Sequence, residues 1–276
     1  MSAADQIRFD DPQASLQRLT ARFGGHAYDL HRHETYAVGL TLWGAQSFHY
    51  RGALRTSRGG QVMVIHPDEA HDGHATLDAG FAYRMLYIEP ALVSQALGGA
   101  PPPYVPDVVA DDAVLAALLA EAFADFPRPL EPLAADAIVE RLATRLASRG
   151  DGRPPRRPQP AAQRAVARAR DYLAAEAQRT VASHELEAVT GLDRFTLARQ
   201  FRALTGTSPH RWQVGRRLAR AQAMIAAGTS LSEAAAETGF ADQSHLTRHF
   251  VARFGLTPGR FAALARGRRS PRGTGR

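Results

Sequence analysis

Histidines are concentrated near the beginning of the chain, in a pattern that brings imidazole groups together. Seven of the eleven histidines lie between His26 and His74. His31 and His33 are two positions apart, so on a β-strand both side chains point to the same face. Neutral imidazole nitrogens bind divalent transition metals, and the same groups hydrogen-bond to organic ligands. The segment therefore predicts a binding site, either for a metal ion or for a small organic molecule.

Two short motifs around these histidines resemble those of the cupin barrel, in which such residues can bind a divalent metal. Gly60, Pro67 and His71 have the spacing glycine, six residues, proline, three residues, histidine. Glu34 follows His33 directly, so on a strand its side chain faces away from the histidines. We therefore expect an organic ligand and no metal cofactor. The predicted ligand contacts are His31, His33, Trp43, His71 and Tyr83, and a metal ion on His31, His33 and His71 is the alternative.

Short apolar segments separated by glycines must position these residues. Four segments rich in β-branched and aromatic side chains are typical of strands. They are residues 36–43, 46–50, 61–65 and 81–88. Closely spaced strands of this kind predict a small antiparallel barrel or jelly roll in the first half of the chain.

Two amphipathic patterns follow the predicted strands. Residues 111–123 and 131–148 place apolar side chains at intervals of three or four positions, which predicts one helix in each. Neither helix can bury its apolar stripe alone, so each must pack on the barrel or on a second subunit. We expect these helices to form the interface of a homodimer.

A longer pattern in the second half of the chain occurs twice. Its first copy contains Asp193, Leu197, Phe201, Gly206 and Pro209, and 49 positions later stand Asp242, Leu246, Phe250, Gly255 and Pro258. A repeat of this period indicates a duplicated structural unit. In each copy we expect a short helix, a turn, and a second helix that starts at the aspartate and ends at the glycine. This order is that of a helix-turn-helix.

The periodicity of the second helix in each copy separates buried positions from exposed ones. Leu197 and Phe201 are four positions apart and point inward, as do Leu246 and Phe250 in the other copy. The outward positions that we predict to contact bases are Arg194, Phe195, Ala198 and Arg199 in the first copy and Gln243, Ser244, Thr247 and Arg248 in the second. Arginine pairs with guanine in the major groove, and glutamine pairs with adenine. These helices are therefore predicted to read DNA.

Positive charge is concentrated in the half that contains the repeat. Residues 161–276 contain 19 Arg and 8 Asp or Glu, a balance of +11, whereas residues 1–160 contain 15 Arg and 19 Asp or Glu, a balance of −4. A basic domain favours a polyanionic partner, because neutralised phosphates release counterions. The chain has no cysteine, which excludes disulfides, cysteine zinc fingers and a thiol nucleophile.

A proline-rich segment divides the chain. Residues 149–160 are predicted as a linker between a domain of residues 1–148 and a helical domain of residues 161–265. Residues 266–276 are predicted as a basic disordered tail. The helix predicted over residues 208–227 connects the two copies and rises about 30 Å. This length is close to the roughly 34–36 Å between successive major-groove faces, so two readers can occupy adjacent turns.

Residues 161–265 resemble the DNA-binding domain of the AraC/XylS family of bacterial transcriptional regulators. The most specific segment runs from Gly239 to Phe250 and continues from Phe254 to Pro258. The resemblance implies base contacts at Phe195, Ala198 and Arg199 of the first copy and at Gln243, Ser244, Thr247 and Arg248 of the second. Ala198 is shorter than the polar residue of some members. The first half is similar to the family's cupin-like effector domain. The expected fold is therefore α+β, with an antiparallel β-barrel, following helices, and two helix-turn-helix units.

The resemblance implies a sequence-specific transcriptional regulator whose activity a small-molecule effector modulates. Its expected partners are double-stranded DNA, the effector, a second copy of the chain and RNA polymerase, and neither a catalytic residue nor a cofactor is expected. The sequence has no apolar signal segment or long apolar stretch, which predicts a cytoplasmic protein, located at the nucleoid when bound to DNA, without membrane contact. Two alternatives are a metal-dependent cupin enzyme fused to a DNA-binding domain, and a constitutive DNA-binding protein whose barrel only dimerises.

Overall fold

The chain folds into an antiparallel sheet domain followed by a helical domain, which confirms the predicted α+β fold. The computed structural model describes residues 5–11, 14–150 and 159–266. The strands in these ranges are β1 Gln6–Phe9, β2 Leu16–Phe23, β3 His26–His31, β4 Tyr36–Tyr50, β5 Ala53–Arg58, β6 Val62–Ile65, β7 His71–Ala75, β8 Phe81–Ile88 and β9 Val109–Ala110. The helices are α1 Pro90–Ala96, α2 Ala113–Ala122, α3 Pro132–Ser148, α4 Pro160–Ala175, α5 Ser183–Thr190, α6 Arg194–Thr205, α7 Pro209–Ala227, α8 Leu231–Glu237, α9 Gln243–Phe254 and α10 Pro258–Arg266.

Strand β4 is the centre of the sheet domain. The main path of hydrogen-bonded strands is β1-β2-β8-β4-β6-β9, and all of its pairs are antiparallel. β4 also pairs with β5 and β7, and β7 pairs with β3. The prediction of two separate strands, residues 36–43 and 46–50, was wrong. Gly44, with φ of 74°, lies beside a register shift at Trp43, and the strand bends there without ending.

Helices α2 and α3 cover one face of the sheet. Leu118 of α2 and Leu142 of α3 are buried in one core with Val38, Val64 and Leu86 of the strands. The apolar stripes therefore pack on the barrel, the first of the two arrangements considered from the sequence, and are not available to a second subunit. Helix α1 was not predicted, because its seven residues are too short for a periodic signal.

Each copy of the repeat forms a small core of its own. Phe201 and Trp212 belong to the core of the first copy, whereas Phe250 and Phe261 belong to the core of the second. Helix α7 connects the copies with 19 residues and rises about 28 Å. The second half of the chain is therefore two similar helical units joined by one helix, as the repeat predicts.

Side chains and glycines fix the ends of the second helix in each unit. Asp193 accepts hydrogen bonds from two backbone N–H groups of the first turn of α6, both at 3.0 Å. Asp242 accepts one from the first turn of α9 at 2.7 Å. Gly206 ends α6 with φ of 74°, and Gly255 ends α9 with φ of 63°. Both helices begin and end as the sequence predicts.

Parts of two predicted segments lie outside the described residues. They are residues 151–158 of the predicted linker and residues 267–276 of the predicted tail. Helix α4 begins at Pro160, one position before the predicted start of the helical domain. Among the helices of the described ranges, none is long and apolar enough to cross a membrane.

Candidate functional site

A cavity of about 120 Å³ lies between the sheet domain and the helical domain. Strands β2, β4, β6 and β8 line one side, and helices α7 and α9 line the other. The strands contribute Phe48, Met85 and Tyr87, and the helices contribute Trp212 and Phe254. An engineered apolar cavity of about 150 Å³ binds benzene. The site therefore suits a compact, largely apolar molecule.

Three of the predicted histidines meet in the wall of this cavity. The ring centroids of His31 and His71 lie 4.2 Å apart, and the centroid of His33 lies 4.9 Å from His71 and 6.1 Å from His31. His31 of β3 is the direct strand partner of His71 of β7, which explains their contact. Burial lowers the pKa of His31 to about 3, that of His71 to about 4, and that of His33 well below its usual range. All three rings are therefore neutral at pH 7.

The backbone fixes the orientation of each imidazole. Nδ1 of each ring lies at hydrogen-bond distance from the carbonyl oxygen of a residue two positions away in the chain. The distances are 2.8 Å for His31, 2.9 Å for His33 and 3.0 Å for His71. Because a carbonyl oxygen only accepts, Nδ1 carries the proton and Nε2 carries the lone pair. The three Nε2 atoms are thus acceptors for an organic ligand or donors of electron pairs to a cation.

One of the two aromatic residues predicted to contact a ligand lines the cavity. The hydroxyl groups of Tyr83 and Tyr28 lie 2.7 Å apart, and both side chains line the cavity. Trp43 does not line it and is 38% exposed, with the guanidinium of Arg22 5.1 Å from its ring centroid. The register shift between Thr41 and Trp43 turns this side chain off the inward face. The structure therefore places Trp43 away from the position expected from the sequence.

The C-terminal end of α9 is hydrogen-bonded to the sheet domain. The backbone N–H of Asp29 donates to the carbonyl of Gly255 at 2.8 Å, and that of Arg32 donates to the carbonyl of Ala252 at 3.1 Å. A Cβ atom added at Gly255 would lie 2.6 Å from the carbonyl oxygen of Asp29 and 2.7 Å from Nδ1 of His31. The segment that carries the histidines is therefore in direct contact with the end of a predicted DNA-reading helix.

A buried ion pair accompanies these hydrogen bonds. Arg253 of α9 pairs with Glu34, and both side chains line the cavity. Their side chains are 16% and 12% exposed, so the pair is largely shielded from solvent. Burial lowers the pKa of the Arg253 guanidinium to about 10, which keeps it charged at pH 7. Removal of either partner would leave a charge with little access to water.

Further acidic residues of the sheet domain pair with arginines of the helical domain. Glu89 lies 2.6 Å from Arg170 and 3.6 Å from Arg216, and Asp68 pairs with Arg211. The charge asymmetry of the sequence is thus expressed at the interface between the domains. Carboxylates held beside these arginines lower the positive potential that the helical domain presents to a polyanion.

The positions selected for base contacts are on the surface. Exposed residues are Arg194, Phe195, Ala198 and Arg199 of α6 and Gln243, Ser244 and Arg248 of α9, whereas Thr247 is half-buried. The inward residues Leu197 and Leu246 are buried, as the periodicity predicts. Phe195 is 64% exposed although it is large and apolar, and the guanidinium of Arg194 lies 5.0 Å from its ring centroid. Both helices therefore present their outward side chains to a partner.

The contribution of the helical domain to the cavity could not be found from the sequence. Trp212 and Arg253 line the cavity, but their helical periodicity only separates core from surface. No local pattern connects Arg253 with Glu34, which lies near the opposite end of the chain. Glu34 lies in a bend beyond the end of β3, so the strand alternation expected from the sequence does not apply to it, and it lines the same cavity as the three histidines.

Two family models match the chain. An AraC-like ligand binding domain matches residues 13–143, and a helix-turn-helix domain matches residues 186–263. A protein described as an uncharacterized HTH-type transcriptional regulator, YbfI, from Bacillus subtilis (strain 168) is 23% identical over 242 residues. The match covers 86% of this chain and 87% of YbfI.

Solved structures of ToxT from Vibrio cholerae resemble both domains together. One has a TM-score of 0.65 at 9% identity and covers 91% of this chain and 99% of that one. ToxT bound to (E)-4-(8-methylnaphthalen-1-yl)but-3-enoic acid has a TM-score of 0.64 at 8% identity, with coverage of 94% and 99%. Wild-type ToxT bound to an unsaturated fatty acid has a TM-score of 0.62 at 10% identity, with coverage of 94% of each chain. At these identities the likeness shows the two-domain fold.

Proposed function

Since the chain belongs to the AraC family of transcriptional regulators, we propose that a compact organic effector bound between its two domains controls its binding to DNA. Its N-terminal half is an AraC-like ligand-binding domain, and its C-terminal half contains the helix-turn-helix domain. The cavity carries the proposal, because its walls come from both domains and include Arg253 of α9. A molecule bound there contacts the sheet domain and a DNA-reading helix at the same time.

The lining of the cavity indicates the chemistry of the effector. Aromatic and aliphatic side chains provide most of the walls. Two guanidinium groups, Arg216 and Arg253, also line the cavity, each paired with a lining carboxylate, Glu89 or Glu34, and Asp72 is a third acidic residue of the wall. An anionic effector can therefore replace one of these carboxylates as the partner of a guanidinium. We infer an effector with an apolar body and an anionic group such as a carboxylate. The acids bound in the ToxT structures support this class. The proposed contacts are His31, His33, His71 and Tyr83, together with Arg253.

Competition for Arg253 connects the effector to the helical domain. A carboxylate that pairs with Arg253 displaces Glu34 and so weakens the attachment of α9 to the sheet domain. Such an effector shifts the equilibrium between the docked and undocked arrangements only by its difference in affinity for the two. Undocking removes the carboxylates of the sheet domain from the arginines of the helical domain, and we expect DNA to be bound more tightly as a result.

Base contacts are proposed at the exposed positions of both units. They are Arg194, Phe195, Ala198 and Arg199 of α6 and Gln243, Ser244, Thr247 and Arg248 of α9. The exposure of these side chains supports the proposal. The long polar side chains of Arg199, Gln243 and Arg248 are exposed and do not pack in the core of either unit, so they can contact DNA. Backbone N–H groups at the start of each helix add phosphate contacts.

A homodimer and a contact with RNA polymerase are further parts of the proposal, as are the domain boundaries at residues 1–148 and 161–265. The apolar stripes of α2 and α3 are buried against the sheet. A second subunit would therefore have to bind to another surface. Leu133 at the start of α3 is 84% exposed and marks one such surface. The matches to transcriptional regulators give no support to the alternative of a cupin enzyme.

Substitution of matched arginines tests the DNA-reading role. We expect Arg199→Ala and Arg248→Ala each to weaken binding to a cognate site by about 1–3 kcal/mol while leaving nonspecific affinity nearly unchanged. The cognate site is obtained by selection from random duplexes with the full-length protein, and affinities are measured by fluorescence anisotropy at fixed salt. Arg164→Ala, which removes the same charge from an exposed position of α4, is the control. A loss that is equal on all sequences would overturn the assignment.

A further inference from the structure

The histidine cluster has a geometry that an organic ligand does not require. His31, His33 and His71 each offer one ring nitrogen, and these atoms lie within 4.8 Å of one another. Nitrogen ligands at about 2.0–2.1 Å from a tetrahedral zinc ion are about 3.4 Å apart, so closure onto an ion needs a shift of up to about 1.4 Å. Movements of this size are within the reach of side-chain rotation and small backbone adjustments.

The hydrogen bonds of the three rings are those of metal-ligating imidazoles. In each ring Nδ1 donates to a backbone carbonyl, which leaves the lone pair on Nε2. His33 is 5% exposed, and its Nε2 has no hydrogen-bond partner among the described residues. A buried acceptor without a partner is unfavourable unless something binds it. The cluster therefore presents electron pairs to a site that a cation would satisfy.

We propose that His31, His33 and His71 bind one divalent first-row transition metal ion, such as Zn²⁺, and that the ion changes the affinity of the protein for DNA. Imidazole ligands favour this class of metal over Mg²⁺ or Ca²⁺, which require oxygen ligands. Glu34 is engaged with Arg253, so the protein supplies three neutral ligands. A fourth position remains for water or for an anionic group of the effector, because the three histidines line the cavity.

The position of the cluster explains how an ion would affect DNA binding. Asp29 and Arg32, which flank His31, donate backbone hydrogen bonds to the end of α9. A ring shift toward an ion therefore moves the segment to which this helix is docked. The effect on DNA binding rests on the proposed function, whereas the binding of the ion itself does not.

Cobalt provides the direct test of the site. Full-length protein without a histidine tag is treated with a chelator, dialysed and titrated with Co²⁺, whose visible absorption reports its ligands. We expect one saturable equivalent per chain, with a spectrum of nitrogen ligation, and displacement by Zn²⁺. The absence of stoichiometric binding to the wild-type protein would overturn the proposal, and this measurement requires no variant to fold.

Variants then locate the ion. His33→Gln and His71→Gln, with folding checked by circular dichroism, should each weaken Co²⁺ binding by more than about 100-fold. The double variant His49→Gln with His74→Gln is the control in the same domain. His245 and His249 of α9 have their Nε2 atoms 3.0 Å apart and form a competing pair. Loss of the bound Co²⁺ when His245 and His249 are both replaced by Gln would overturn the assignment. Retention of the bound Co²⁺ in His33→Gln and His71→Gln would also overturn it.

The regulatory part is tested on a selected DNA site. We expect Zn²⁺ to change the Kd of the wild-type protein for this site by at least about 5-fold, and His33→Gln to remove the change. A bound ion without any effect on DNA affinity would overturn the coupling alone. If the protein selects no DNA sequence at all, the proposed function fails, and the Co²⁺ titration still decides the metal site.

Discussion

The two helix-turn-helix units have the same plan but different attachments to the sheet domain. In the second unit, two backbone hydrogen bonds and the buried pair of Arg253 with Glu34 hold the end of α9. In the first unit, α6 approaches the sheet domain at Gly206, where an added Cβ would lie 2.8 Å from the side chain of Pro67. No backbone hydrogen bond joins α6 to the sheet domain within the described residues. The first unit is joined to the sheet domain through side chains, in the pairs of Arg170 with Glu89 and Arg211 with Asp68. The second unit is therefore the one whose reading helix is hydrogen-bonded to the segment that carries the histidines.

The outward side chains of the two units differ as well. The first unit presents Phe195 and Ala198, whereas the second presents Gln243 and Ser244 at its start. Glutamine and serine hydrogen-bond to base edges, but alanine and phenylalanine offer only apolar contacts. Arg199 and Arg248 are exposed at matching positions of the two units. The unit whose reading helix is hydrogen-bonded to the sheet domain thus also begins with the more polar pair of base-contacting side chains.

The largest effect is expected from breaking the buried ion pair. Glu34→Gln leaves the guanidinium of Arg253 without its counter-charge, and loss of one partner of a buried pair costs about 3–5 kcal/mol. We expect this cost to appear as undocking of α9 from the sheet domain. The backbone N–H groups of Asp29 and Arg32 donate across the interface. Their hydrogen exchange should accelerate by more than about 100-fold, since about 1.4 kcal/mol corresponds to a tenfold change.

An exposed ion pair of similar geometry is the control for this variant. Glu121 lies 2.7 Å from Arg141, and the two side chains are 51% and 48% exposed. Glu121→Gln should cost less than about 1 kcal/mol and leave exchange at Asp29 and Arg32 unchanged. Similar exchange in both variants would show that the pair of Glu34 does not hold α9 in place.

Three glycines that end helices provide a smaller and more selective perturbation. Gly191, Gly206 and Gly255 have φ of 71°, 74° and 63°, so alanine costs about 1–2 kcal/mol at each from backbone strain. A Cβ at Gly191 would meet nothing within 4 Å, whereas at Gly255 it would meet the carbonyl oxygen of Asp29. We expect Gly255→Ala to undock α9 and Gly191→Ala only to lower the free energy of unfolding.

Chemical denaturation and hydrogen exchange at Asp29 separate these two outcomes. Gly206→Ala should be intermediate, because the added Cβ would have one neighbour closer than 3.0 Å, in Pro67, whereas at Gly255 it would have two, at 2.6 and 2.7 Å. If Gly255→Ala behaves like Gly191→Ala in both measurements, the second unit has no special attachment to the sheet domain.

The remaining predictions concern the reading surfaces and affect DNA binding but not docking. Gln243→Ala should cost about 1–3 kcal/mol at a selected site and remove a base preference, because a bidentate contact to adenine is lost. Phe195→Ala should cost less than about 1 kcal/mol and leave the preferences of the first half-site nearly unchanged. Selection from random duplexes with each variant gives both quantities. A broader loss of preference with Phe195→Ala than with Gln243→Ala would reverse the comparison between the units.

The sequence predicted the helical domain almost completely, because its signals are local. Asp193 and Asp242 cap their helices, and Gly206 and Gly255 end them, within a residue of the expected positions. Each signal acts over a few residues of the same helix and needs no distant partner. The exposure of the outward side chains follows from the same periodicity.

The cavity was only partly predictable, because part of its wall comes from the helical domain, which is distant in the sequence from the strands. The pairing of β3 with β7 brings His31 beside His71. His33 lies beyond the end of β3, so it lines the cavity although the strand alternation assumed from the sequence does not extend to it. Trp43 was misplaced, because alternation assumes a regular strand and the register shift beside Gly44 breaks it. Arg253 was missed, because α9, which the sequence assigns to DNA recognition, also closes the cavity.

Hydroxyl-radical footprinting on a selected DNA site tests the central claim most directly, since it reports the two units separately. Full-length wild-type protein and Glu34→Gln are compared at equal salt and subsaturating concentration. The account predicts that release of α9 increases protection of the half-site read by the second unit, with little change at the half-site of the first. An equal change at both half-sites, or no change at either, would contradict control of DNA binding through the attachment of α9.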